Sequence, residues 1–302
     1  MFGVFGWFFG ALGHDAGHFA TSHHAWINDW GVWGMSLLCN PMMWQHQHTF
    51  AHHSHTNEFD HDPDLHHFST LLRVHRSFAQ QGIYKYQRHS WFVAFAYTFV
   101  VFGECFWIPL DMIQTGALYG LCDWTDRNRP LRALGMVLHL VCYVGFTMVL
   151  PFFTASSAWT ALACAIAHVW TSGLLFGIFS QINHLNESCL EADMDNRSQT
   201  TNGKRSDMLK RSWAAAQVET ANNFAPQSAL WHILSNGLNL QIEHHLFPGI
   251  NHSHLHRIAP IVEQTCREYG VNYKCYNSWA EVMNGTLRWL DQLSLEPDGF
   301  AK

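Results

Sequence analysis

Three short groups of side chains have the spacing that a metal ion needs. His14 and His18 are four residues apart. His48, His52 and His53 repeat that step and add a neighbour. Gln241, His244 and His245 stand at i, i+3 and i+4. On an α-helix, residues three or four apart share a face, so each group can aim its donor atoms at one point. His52 and His53 point to neighbouring faces, so one helix turn can serve two ions. Asp15 and Glu243 are interleaved with these rings, where a carboxylate can hold an imidazole from behind and set its tautomer. Gln241 fills a position where the pattern would accept a histidine; its amide oxygen is a weaker donor, acting directly or through water. A fourth element, Gln181-Ile182-Asn183-His184, adds His184.

The chain has 23 histidines against 17 lysines and arginines, and they fall in separated clusters rather than one tract. His14, His18, His48, His52, His53, His184, His244 and His245 give about eight imidazole ligands, more than one ion takes and suited to two. Zinc has no redox chemistry and usually takes four ligands. The HExxH signature of zinc peptidases is absent from the sequence. Iron with dioxygen yields an oxidant able to break an unactivated C–H bond, and a membrane-dissolved acyl chain offers little else to attack. His46 and His55 are left as spares. The stretch Asp60-His61-Asp62-Pro63-Asp64 supplies carboxylates behind the rings or is a polar turn. His139 and His168 lie inside apolar runs and are assigned hydrogen bonds across a helix hairpin. His252, His254 and His256 alternate in a way that fits no single helix face and are read as surface residues.

These groups need elements to position them. Charged residues are 13% of the chain and apolar residues 48%, against about 25% charged in ordinary soluble proteins. This composition predicts a mainly α, integral-membrane protein whose cytosolic helical cap carries a His-rich di-metal site. Runs 133–153 and 158–182 are each long enough to span a bilayer, and only Thr154-Ala155-Ser156-Ser157 separates them, so they predict a transmembrane hairpin. Arg127, Arg129 and Arg132 precede it, and Lys204, Arg205, Lys210 and Arg211 follow it, so both its ends belong on the cytosolic side. Run 91–110 contains Glu104 and Pro109. It is read as partly buried or interfacial, because a crossing there would put the histidine groups on opposite sides. Segment 30–44, broken by Asn40-Pro41, is read as interfacial or re-entrant. Residues 1–13 reach only about 20 Å as a helix and are read as the last part of a span. Residues 1–265 form the domain that carries the site, and 266–302 a cytosolic tail. The net charge of −6 comes without a basic stripe, so nucleic acid is not an expected partner. Eight cysteines without a CxxC pair predict free thiols.

His14-Asp15 with His18, His48 with His52-His53 followed by Thr56-Asn57 and Asp62-Pro63-Asp64, and Gln241-Ile242-Glu243-His244-His245-Leu246-Phe247-Pro248 together resemble the membrane fatty acid desaturases. Glutamine in the third box is similar to the front-end subgroup, which inserts a double bond between an existing one and the carboxyl end. The likeness runs in order and spacing from residue 1 to about 265. It implies two iron ions, dioxygen as oxidant, and electrons from cytochrome b5 and its reductase. It further implies a fatty acyl-CoA or acyl-lipid substrate and an endoplasmic reticulum membrane, with a plastid membrane as the other location. No HPGG haem motif occurs in this sequence, so either a cytochrome domain belongs to a missing start or a separate cytochrome serves as an external donor. Three alternatives share some of these features. A related di-iron hydroxylase shares the first hydrogen abstraction, a sphingolipid-base desaturase shares similar boxes, and a non-catalytic membrane metal-binding protein would place its ligands along several spans.

Overall fold

Glycine recurs every three or four residues along the first apolar stretch, at Gly3, Gly6, Gly10, Gly13 and Gly17. Helix α1 (Phe2–Gly17) uses that stripe for close packing. A side chain at Gly13 would collide with the backbone nitrogen of Met35, and one at Gly34 would lie 2.9 Å from the nitrogen of Gly13. The absent Cβ atoms let two backbones approach and hold His14 at the end of α1. The computed structural model describes residues 2–125, 128–189 and 212–296, and helices dominate. The chain divides into two units, Met1–Phe50 with Ala94–Ile178, and Ala51–Val93 with Phe179–Lys302.

In the first unit, Asn40-Pro41 starts a helix rather than breaking one. Asn40 accepts from the Met43 amide at 3.4 Å and Pro41 takes the first helical position, the arrangement in which a missing N–H costs nothing. Helix α2 (Pro41–Trp44) continues into π-helical turns over Gln45–His52. The Asn40 amide also donates to the Met136 carbonyl at 3.1 Å and meets His139 Nδ1 at 3.2 Å, which ties α2 to an apolar helix. Among the described residues three helices are long and apolar enough to cross a membrane: α3 (Ser90–Thr115), α4 (Arg129–Thr154) and α5 (Ala158–Gln181). The last two correspond to the expected hairpin. Helix α3 is longer than run 91–110 suggested, because Pro109 follows the π-turn Gly103–Trp107 at the start of a fresh α-segment. Half of its apolar window is buried inside the protein, against 17% for α4. Buried Glu104 accepts from the Gln47 amide at 3.1 Å. His168 on α5 meets the Tyr143 hydroxyl on α4 at 3.2 Å, a hydrogen bond across the hairpin.

The second unit packs short helices α6 (Trp213–Glu219) and α7 (Gln241–Leu246) with α8 (Leu255–Tyr269). Val218, Ala221, Ile242, Val262 and Cys266 make its core. Helix α8 is strongly amphipathic, buries Leu255, Ala259, Val262 and Cys266, and ends on Gly270 in the left-handed conformation. The boundary drawn at 265/266 falls inside this helix. The carboxy-terminal α9 (Trp279–Leu295) buries Trp289, Leu290 and Leu293. Buried Arg73 holds its end, donating to the carbonyls of Leu293 and Glu296 at 3.1 and 2.8 Å. Residues 279–295 are thus part of the second unit's packing.

Candidate metal centre

In the first unit, α1 carries His14 in its last turn, and His18 follows directly after its final residue, Gly17. Their ring centroids are 4.8 Å apart, and the ring of His48, from the π-helical segment, lies 5.4 and 5.2 Å from them. Trp44 stacks on His48 at 4.8 Å. Asp15 Oδ1 is 3.6 Å from His14 Nδ1. A π-turn has a wider step than an α-turn and often marks functional sites. His48 stands with His14 and His18, whereas His52 belongs to the second unit.

In the second unit His52, His184 and His245 converge, their potential donor atoms all within 4.8 Å of one another. Each ring is tied through Nδ1. His52 donates to the Asp62 carboxylate at 3.0 Å, His184 to the Thr220 carbonyl at 3.1 Å and His245 to Gln217 Oε1 at 2.8 Å. The Gln217 amide is oriented by its own donation to the His53 carbonyl at 3.2 Å, so its oxygen must face His245. A carbonyl only accepts, so the proton sits on Nδ1 of His184 and His245, and the lone pair sits on each Nε2. Those two Nε2 atoms face each other at 3.1 Å. His53 and His244 also approach Nε2 to Nε2 at 3.1 Å, a distance that a shared proton or a common cation can bridge. Opposed lone pairs at this distance repel unless a cation or proton lies between them. Two ligand nitrogens about 2.1 Å from one ion, at tetrahedral or octahedral angles, stand about 3.0–3.4 Å apart. The residues therefore fit a metal ion, and imidazole is a donor that iron accepts.

Gln241 lies beside this set, with its amide nitrogen 2.9 Å from His184 Nε2 and its Oε1 without a hydrogen-bond partner. Rotating the amide by half a turn would put the oxygen toward the centre. Glu243 points elsewhere. Its carboxylate accepts from Asn223 at 2.7 Å and Tyr273 at 2.9 Å. Asn223 also accepts from the Ile242 amide at 3.0 Å, so the three residues fix helix α7 rather than an imidazole. Burial raises the Glu243 carboxyl, against the lowering effect of those two donors. Burial alone would lower His52, but Asp62 and Asp64 outweigh it and raise the imidazole to about 9.

Sequence reasoning missed Gln217 and Thr220, whose signal was polar residues in a short, largely apolar helix and its exit. Thr56 and Asn57 also gain physical roles. Thr56 Oγ1 donates to the His52 carbonyl at 2.9 Å, and the Asn57 amide donates to the His184 carbonyl at 3.1 Å. Of the basic residues ahead of the apolar run 133–153, Arg129 lies over Trp124 at 5.1 Å and Arg132 donates to Gln45 at 3.2 Å. Arg127, Lys204, Arg205, Lys210 and Arg211 lie outside the described residues.

The profile described as fatty acid desaturase matches residues 1–277. An sn-1 linoleoyl-lipid 6-desaturase from Arthrospira platensis is 28% identical over 95% of this chain and 74% of its own length. An acyl-lipid (8-3)-desaturase from Physcomitrium patens is 30% identical over 94% of this chain and 57% of its own. An acyl-lipid (7-3)-desaturase from Rebecca salina is 29% identical over 99% and 65%. No solved structure matches. With its histidine groups in the family's order and the profile covering nearly all of its length, this chain belongs to the fatty acid desaturase family, oxidoreductases that act on acyl lipids.

Proposed function

We propose that this desaturase holds two iron ions and works as a front-end enzyme on glycerolipid-bound polyunsaturated chains in the endoplasmic reticulum membrane. The carrying observation is the pair of opposed imidazole nitrogens at 3.1 Å, His184 with His245 and His53 with His244. His14, His18 and His48 are the ligands offered by the first unit; His52, His53, His184, His244 and His245 are those of the second, with Gln241 beside them. Bound iron supplies, with dioxygen, the oxidising power for hydrogen abstraction from an unactivated chain. Asp62, Thr220 and Gln217 keep the Nδ1 proton in place, so that each Nε2 lone pair faces inward. The substrate class is supported by relatives named for acyl-lipid 6-, (8-3)- and (7-3)-desaturation, and front-end action also by Gln241. An apolar pocket of about 520 Å³ in the second unit, walled by Val218, Leu246, Phe247, Ile258, Val262 and Tyr269, offers a water-poor surface for part of the chain.

Each turnover removes two hydrogens from the lipid and reduces dioxygen to two waters. The lipid gives two electrons, so two more come from a donor, for which cytochrome b5 and its reductase are proposed. Helix α3 is read as lying at the interface rather than crossing, which keeps every histidine group on the cytosolic side; its half-buried apolar window supports this. The deciding experiment is expression in yeast with polyunsaturated acids fed, followed by mass spectrometry of double-bond positions in separated lipid classes. A new bond on the carboxyl side of an existing one, first in phospholipid, is the expected product. A hydroxylated product or a change confined to sphingoid bases would replace this reading. Reconstituted activity should require cytochrome b5 and fall as salt screens the encounter; full activity with NADH alone would remove the external donor.

A further inference from the structure

Between His53 and Asp62 the chain makes a tight double turn whose Thr56 and Asn57 face the buried histidines, while His55, Glu58 and His61 have no part in that centre. The His55 carbonyl accepts from the Glu58 amide at 2.9 Å, and the Glu58 carbonyl from the His61 amide at 3.0 Å. Two turns in succession bring residues 55, 58 and 61 to one side. Asn57, at the centre, adopts a left-handed φ of 61°, and its backbone N–H donates to Asp62 Oδ2 at 2.8 Å, so the turn is closed from behind. The result is a convergence of three donors. Glu58 Oε2 is 2.8 Å from His55 Nδ1 and 3.5 Å from His61 Nδ1. The two rings lie nearly parallel with centroids 4.9 Å apart. All three side chains are substantially exposed, at 43, 37 and 58%.

We propose that His55, Glu58 and His61 form a separate, solvent-facing metal site that takes one zinc-class divalent ion per chain and clamps the turn between His53 and Asp62. The spacings of 2.8 and 3.5 Å lie to either side of the about 3.0–3.4 Å expected for ligands with bonds near 2.1 Å to one ion, and all three donor atoms lie within 4.8 Å of one another. Two imidazoles and one carboxylate select a borderline ion such as zinc over magnesium or calcium, which prefer oxygen. Exposure leaves the remaining position to water. The carboxylate offsets half the ion's charge, and the backbone bonds already hold the turn, so little chain entropy is lost on binding. The clamp acts on a segment with consequences, because its two ends carry His52-His53 and the Asp62 that holds His52.

The test is equilibrium dialysis of purified, iron-loaded protein against micromolar zinc, with iron and zinc counted together. Wild-type protein should gain one zinc per chain with its iron unchanged, and zinc should slow backbone hydrogen exchange over residues 53–62. The double variant His55→Gln/His61→Gln should keep its iron and lose that zinc, with at least a tenfold weaker affinity. Glu58→Gln leaves both rings and the backbone turn in place, and should weaken zinc several-fold on its own. Cobalt should give a visible absorption band in wild type that both variants lack. Zinc uptake that only replaces iron, or equal uptake by wild type and both variants, would overturn the assignment.

Discussion

The two units hold their histidines in different ways. In the first, His14, His18 and His48 pack ring against ring, and Trp44 stacks on His48. In the second, His52, His184 and His245 are each aimed by a hydrogen bond from Nδ1 to Asp62, Thr220 or Gln217. Packing fixes where a ring is, within the looseness of a van der Waals contact. A hydrogen bond to a pure acceptor fixes where the ring is and also which nitrogen carries the proton. The second set is therefore chemically pre-organised, and in the first the close approach of glycine-rich α1 to Gly34 and Met35 sets where His14 stands.

The largest effects should come from the ligands. His48→Ala, His52→Ala, His184→Ala, His244→Ala and His245→Ala should each leave no detectable desaturation while the protein still inserts into membranes. Near-wild-type product from His48→Ala or His244→Ala would remove that set from the centre.

The next level separates the two kinds of support. Asp62→Asn and Gln217→Leu should each lower iron affinity or turnover by about 10- to 100-fold, the range for residues that orient a metal-bound histidine. Trp44→Phe keeps a ring against His48 and should cost less than either. Iron content and turnover measured on the same preparations give the comparison, and it fails if Trp44→Phe costs as much as Gln217→Leu.

Acid should affect the second unit through a different residue. His75 is buried, accepts the Ser77 amide on Nδ1 at 3.2 Å, and stacks on Phe59 at 5.2 Å. Burial, then the positive charges of Arg76 and nearby His66 and Arg73, lower its imidazole to about 3. The unfolded chain takes up this proton near pH 6.5 and the folded one near 3, so folding is favoured above 6.5 and loses that stability as pH falls toward 3. His75→Phe should flatten the thermal-melting dependence on pH across that window. An unchanged slope would show that His75 does not control it.

The smallest effects concern surface and topology. His252→Ala and His254→Ala should keep most activity, since neither side chain belongs to the convergent sets. Asn186 and Asn284 sit in glycosylation acceptor patterns, yet neither should carry a glycan. Asn186 is buried and its amide donates to the Ile182 carbonyl at 2.9 Å, while Asn284 is exposed on the unit proposed to face the cytosol. A glycosidase-sensitive mass shift at Asn284 would reverse the orientation proposed for the second unit.

The amino-acid sequence by itself determined the candidate donors and the apolar helices. Imidazole spacing and runs of uncharged residues are local properties, and a helix displays them wherever it packs. The glycine stripe of α1 was also present in the sequence, but its meaning depended on which backbone it met. Tertiary structure decided which rings meet, since the π-turns over Gln45–His52 carry the His48 ring to within 5.4 and 5.2 Å of His14 and His18. It decided the role of Glu243, which sits between two histidine-box residues yet turns to Asn223 and Tyr273, 20 and 30 residues away. It also decided the partners of the rings. Gln217 reaches His245 across 28 residues and Thr220 reaches His184 across 36. Hydrogen bonds between residues so far apart leave no periodic trace in a chain, since their geometry exists only once the helices that carry them have packed.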